Sequence, residues 1–243
     1  RVANVSRNVE VDVFNTTTQT VERWQARRAI VALPIFVAAR VVQNPPDGLR
    51  QAAGRMVYAP WLVANLHLSA PLLDRPGAPP SWDSVLYGND QVAPGLGYVD
   101  AMHQSLQPVP AATVLTYYRA LGDGVGGGNP SAGRAAASAG RQVLLTQPWA
   151  TWRKQMLNEW SAAQAEWAAT TTRIDISRYG HAMAVPIPHV DGQISPWSLW
   201  NKHKSLQKGE QSKIQHERLT FAHGDWAGYS VFEEAFTLGH HAV

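Results

Sequence analysis

The chain has 243 residues, ten tryptophans and no cysteine, with 21 Lys and Arg against 18 Asp and Glu for a net charge of +3. The length permits one large domain or two small ones, and the missing thiols exclude disulfides and thiolate metal sites while leaving the compartment open. The charge excess is too small for a polyanion-binding surface, and no run of about 18 apolar residues is present to span a bilayer.

The sequence opens on Arg1, with neither Met nor a signal-type segment before it, and strand-like residues follow almost at once. This reads as a truncated or processed chain. Val9, Val11 and Val13 alternate with polar residues, residues 15–19 carry turn chemistry, and the apolar pattern returns at Val21 to Trp24, which predicts a hairpin. Residues 26–34 follow as a buried-type strand closed by Pro34.

From Arg55 to Leu68 the pattern again has period two. Trp61, Val63, Asn65 and His67 fall on one face and Leu62, Ala64, Leu66 and Leu68 on the other, as expected of a strand lining a cavity. Further strands are expected at 84–87, 97–103 and 112–120, with loops at 71–80 and 122–130. Pro148 opens a helix whose Trp149, Trp152, Met156, Trp160, Ala163 and Trp167 form one apolar stripe, a core face. Residues 171–177 read as a strand and residues 202–218 as a polar loop.

Three apparent motifs carry no chemistry. Gly122 to Gly127 matches G-x-G-x-x-G, but Asn129-Pro130 follows where a helix should open, and no acid stands about 20 residues on to meet a ribose. His223, His240 and His241 lack metal-ligand spacing, so no metal is expected. Trp197, Trp200, Lys202, Lys204, Lys208 and Lys213 interleave aromatic and basic residues, yet Glu210 and Glu217 dilute the charge, and a solvated loop is expected in place of a nucleic-acid surface.

The last block, Leu219-Thr220-Phe221-Ala222-His223-Gly224-Asp225-Trp226-Ala227-Gly228-Tyr229-Ser230, reads as an apolar strand and a Gly-Asp turn leading to a helix. Ser230 and Glu233 fit a capping box, which predicts a helix start at Ser230. Val231, Phe232, Ala235, Phe236, Gly239, Ala242 and Val243 then share a face expected to pack on a sheet, with the positive helix end aimed at the turn and suited to an electron-rich ligand.

This block resembles the C-terminal signature of the flavin-dependent amine oxidase and phytoene desaturase superfamily, and its Gly-Asp-Trp is closest to the desaturase form. Compared with amine oxidases, the acid stands one residue late and the loop to the helix is short. A second block, Arg178-Tyr179-Gly180-His181-Ala182-Met183-Ala184-Val185-Pro186, resembles the segment that returns the superfamily chain toward the flavin. The resemblance implies an α/β (α+β) fold in two parts: a mixed-sheet substrate domain with helices, and the closing strand and helix of a Rossmann-like FAD domain. Residues 1–40 would belong to the FAD domain, 41–217 to the substrate domain and 218–243 to the FAD domain again.

The same resemblance implies FAD as cofactor, with Val2 at the adenine and Gly224, Asp225, Gly228, Tyr229 and Ser230 at the sugar and flavin. Tyr179 or His181 would stand near the flavin or substrate, with His67 a further catalytic candidate; the bland alternative makes the Tyr179–His181 stretch a strand-to-loop turn. The expected activity is hydride removal from a small amine, with carbon-carbon desaturation or a cofactor-free scaffold as alternatives. The N-terminal FAD-binding half, with its own Gly-rich loop, is not encoded here and is expected in cis or on a separate chain.

Overall fold

The computed structural model describes residues 1–73, 81–87, 94–106, 109–123, 125, 129–187, 196, 200 and 213–243. In chain order they form β1 (Val2–Val5), β2 (Asn8–Asn15), β3 (Thr20–Ala26), β4 (Ala29–Val31), α1 (Ile35–Val41), α2 (Asp47–Arg55), β5 (Met56–Leu68), β6 (Asp83–Ser84) and β7 (Tyr98–Asp100). A 3-10 turn at Ala101–Gln104 follows, then β8 (Thr113–Ala120), α3 (Pro130–Thr146), α4 (Trp149–Trp160), α5 (Glu166–Thr170), β9 (Thr171–Pro186), β10 (Gln215–His216), β11 (Leu219–Phe221) and α6 (Phe232–Ala242). Contacts divide the chain into two units, Arg1–Val57 with Gly126–Gly133 and Ala184–Val243, and Tyr58–Val125 with Arg134–Met183. The division thus falls at Val57/Tyr58 and Met183/Ala184, not at 40/41 and 217/218, because α1, α2 and the end of β9 associate with the first unit.

In the first unit the expected hairpin is present. The Asn15 carboxamide oxygen accepts from the amides of Thr17 and Thr18 at 3.0 and 3.2 Å, closing the turn, and β1 adds on the far side of β2. Val2, Val9 and Val11 share one face of this sheet with Trp24, while Arg1, Glu10, Asp12 and Arg23 pair on the other. A second sheet has the order β10-β11-β4, with β11 parallel to β4. Pro34 sits at the N-cap position of α1, where its missing N–H costs nothing. Trp200 is buried against Phe221 and Trp226, each at 5.6 Å between centroids, so it is a core ring and not a stacking platform. Trp197, Lys202, Lys204 and Lys208 lie outside the described residues.

The second unit is a sheet of order β6-β7-β8-β5-β9 with helices on one face. Leu62, Leu66, Leu115, Tyr117 and Ile174 pack there against Leu144 of α3, Trp152, Met156 and Trp160 of α4, and Trp167 of α5. Full burial of side chains of this size is worth about 1.5–3 kcal/mol each. The tryptophan stripe is a core face at Trp152, Met156, Trp160 and Trp167, but Trp149 at its start is 47% exposed, and the stripe is not one helix: α4 ends at Trp160, and Trp167 comes from α5 to stack on it at 5.0 Å and 12°.

Helix α3 was not anticipated. Asn129 Oδ1 caps it by accepting from Ser131 and Ala132, so Asn129-Pro130 starts a helix and does not prevent one. The G-x-G-x-x-G match still fails, for a different reason: β8 runs antiparallel to both β5 and β7, and a dinucleotide loop belongs to a parallel βαβ unit. Gly124, Gly126 and Gly127 lie outside the described residues, as do 74–80 of the loop expected at 71–80.

Candidate functional site

The cofactor-side candidates gather in the first unit. Strand β11 leads through Ala222 and His223 into a 3-10 turn at Gly224–Trp226. A Cβ at Gly224 would stand 2.9 Å from Tyr229 O, and Gly228 adopts φ +82° against Pro186, so this turn tolerates glycine and little else at both positions. Tyr229 is exposed. Asp225 is only 2% exposed; its Oδ2 accepts from the Ile35 N–H at 3.0 Å and its Oδ1 lies 3.1 Å from His223 Nδ1. The acid therefore ties the turn to the start of α1.

Two expectations about the helix are corrected. Helix α6 begins at Phe232, not Ser230, and its N-cap residue Val231 makes no side-chain bond. The Ser230 hydroxyl instead accepts from the Ala184 N–H at 2.9 Å, which fastens the end of β9 to the turn, and it stands one residue before the N-cap position. The apolar face does not pack on a sheet either. Val231, Phe232, Phe236 and Val243 are exposed, whereas Leu238 and Ala242 turn inward. Val2 lies in β1, where its carbonyl accepts from Gln43 N–H at 2.7 Å beside the parallel bridge to Val42.

The substrate-side candidates lie on the half-exposed face of the second unit's sheet. The segment 178–186 is the continuation of β9, longer than the strand expected at 171–177. Tyr179 and His181 are exposed two residues apart on the same side, and His181 meets Tyr58 edge to face at 6.2 Å. Arg141 of α3 reaches the carbonyls of Tyr58 and Gly180, a clamp that no local pattern in the sequence announces. Trp61 and Tyr118 form another edge-to-face pair at 6.3 Å.

His67 is placed elsewhere on β5. Its Nε2 bonds Asp175 Oδ2 at 2.9 Å, and Asp175 also binds Arg173. Arg173, and after it His67, holds the Asp175 carboxyl below the usual carboxylate range. His67 stands nine residues after Tyr58 on the same strand, which at a rise of about 3.3 Å per residue puts them roughly 30 Å apart. His67 and His181 therefore do not share one substrate-sized site.

Behind the sheet, Tyr117 donates to Glu159 Oε2 at 2.7 Å and Gly95 N–H to its Oε1 at 3.1 Å. Burial pushes both the Glu159 carboxyl and the Tyr117 phenol upward. Among the described residues no group of three His, Cys, Asp or Glu is arranged to hold a metal, and no helix is long and apolar enough to cross a membrane.

The chain matches part of several solved oxidase folds. Cyclohexylamine oxidase from Brevibacterium oxydans IH-35A aligns with 99% of the chain at a TM-score of 0.62 and 12% identity. Putrescine oxidase bound to putrescine aligns with 98% at 0.61 and 12% identity. A protein described as a protoporphyrinogen oxidase from Exiguobacterium sp. 255-15 aligns with 99% at 0.56 and 10% identity. The chain spans less than half of each, 46%, 45% and 44% respectively. It thus has the mixed α/β fold of part of such an oxidase. No family profile and no curated protein matches its sequence.

Proposed function

We propose that the chain is the C-terminal part of an FAD-dependent oxidoreductase that oxidises an amine. The observation that carries the cofactor assignment is the helix start. The first amides of α6 have no side-chain cap and follow a glycine turn fastened to the end of β9 by the Ser230–Ala184 bond, which fits an electron-rich ring edge. Gly224, Gly228, Tyr229 and Ser230 would line that position. Asp225 fits less directly: with its oxygens turned to Ile35 and His223, it sets the turn's shape in place of offering a free carboxylate to the sugar. Val2 keeps the adenine-side assignment through its strand, with its carbonyl already bonded.

The chemistry FAD supplies when bound is acceptance of a hydride from the carbon that bears the amine. On the substrate side, Trp61, Tyr118 and Tyr179 offer ring faces to an ammonium group. His181, set by its edge contact with Tyr58, would take the ammonium proton at a ring nitrogen, since the neutral amine is the form that can lose a hydride.

The complementary half fits the edge of β4. Parallel strands are normally flanked and covered on both faces, yet β4 ends its sheet among the described residues and leaves Ile30 49% exposed. A strand from an N-terminal FAD-binding half, in cis or on another chain, would pair there.

The test is anaerobic stopped-flow reduction of the complete, flavin-loaded protein by putrescine and by cyclohexylamine, read by flavin absorbance. Reduction by either supports the reading. A flavin-loaded protein that no amine reduces ends the amine assignment, and a complete protein that loads no flavin favours the scaffold alternative.

A further inference from the structure

We propose that the depression beneath the Ala101–Gln104 turn binds a small apolar molecule carrying one hydrogen-bond donor, a hydroxyl or an ammonium group, received by His67. The depression measures about 360 Å³, within the size range of small-molecule sites. Leu68, Met102, Ala112 and Val114 give it an apolar lining. Its floor is held by the Asp100 carboxylate, which accepts from the Thr113 hydroxyl at 2.7 Å and from the Met102 N–H at 2.9 Å. The Thr113 donor is therefore spent within the protein.

His67 differs. The Asp175 carboxylate can only accept, because Arg173 Nε at 2.9 Å keeps it ionised, so the proton of the neutral imidazole sits on Nε2. That leaves the Nδ1 lone pair, which has no partner among the described residues. His67 lines the depression together with Ser105 and Thr113, and an imidazole acceptor there selects a ligand that brings a donor. The carboxylates of Asp100, bonded to the lining Thr113, and of Asp175, bonded to the lining His67, disfavour an anion.

This inference does not rest on the flavin reading. Its test is a titration of the chain with benzyl alcohol, benzylamine and the donor-free control toluene, following the ring protons of His67 by NMR, assigned with His67→Ala. The expected result is a saturable His67 shift with at least one of the two donors and affinity for toluene roughly five- to tenfold weaker, the worth of one net hydrogen bond. The stronger of the two donors identifies the class. Ala112→Phe, which fills the depression and leaves the His67–Asp175 bond in place, should abolish the shift while the ligand-free His67 ring signals stay near those of the parent. Equal binding of toluene, no saturable shift with either donor, or unchanged binding in Ala112→Phe would each overturn the proposal.

Discussion

Asp225 and Ile35 lie 190 residues apart, and the carboxylate of the first accepts the backbone N–H of the second at 3.0 Å in a buried setting. The bond joins the turn after β11 to the first residue of α1, so the Gly-Asp pair has a structural task before any cofactor is considered. Asp225→Ala leaves the Ile35 amide buried without an acceptor, at a cost of about 1–3 kcal/mol. Urea unfolding of the chain without flavin should show that loss as a lower midpoint with an unchanged slope. Asp225→Asn keeps one acceptor oxygen and should recover part of it. A midpoint unchanged by Asp225→Ala would make the residue a cofactor ligand only.

Two glycines in helices predict opposite outcomes. A Cβ on Gly140 of α3 would stand 1.6 Å from the Leu121 carbonyl oxygen, so Gly140→Ala forces the helix away from the sheet and should cost about 1–3 kcal/mol or more. Gly54 of α2 has open space where its Cβ would go. Gly54→Ala should therefore raise stability by roughly 0.5–1 kcal/mol through helix propensity alone. Thermal melts of the two variants beside the parent decide both.

The parts of the fold that the sequence revealed were those with a strict period. Val9 to Trp24 and Trp61 to Leu68 alternate, and the strands stand where the alternation is. Helix α3 stayed hidden because Ala and Gly dominate it, and its buried face consists of small residues with Leu144, too weak a stripe to count. At the candidate site, the turn around Gly224 and Gly228 was legible from residue type, since both positions need glycine. The hydroxyl of Ser230 was misassigned because local spacing cannot show that a distant amide, that of Ala184, competes for it. The partnership of His67 with Asp175 lay equally beyond sequence, joining strands 108 residues apart.

Glu159 predicts a pH dependence. Its folded pKa is raised above 4.5 chiefly by burial, against the opposing bonds from Tyr117 and Gly95. The folded state therefore holds the proton more tightly than the unfolded chain. The stability this contributes is fully present below the ordinary carboxylate range and is lost as pH rises through the folded value. Glu159→Gln removes that titration. The difference in unfolding free energy between parent and variant should be small at low pH and should grow in the variant's favour as pH rises through and above the ordinary carboxylate range. Taking the difference cancels Asp12 and Asp175, whose lowered values have the opposite sign. A difference that shifts toward the parent with rising pH would mean that the two hydrogen bonds outweigh burial.

The exposed face of α6 separates a surface that waits for a partner from one that merely tolerates apolar residues. Phe232 and Phe236 are 76% and 65% exposed and lie tilted against each other at 6.0 Å between centroids, so neither contributes much to the fold of this chain. Phe232→Ser with Phe236→Ser should change the unfolding free energy of the chain by no more than about 0.5 kcal/mol per site. It should also reduce self-association, read by light scattering, since the removed rings form an apolar patch. In the complete flavin-loaded protein the same pair should behave differently. If the N-terminal half covers this face, the double variant loses buried area there, melts at a lower temperature and releases flavin faster on dialysis. Equal, small effects in both contexts would show that the face stays in solvent, and the complementary half would then have to meet the chain at the β4 edge without it.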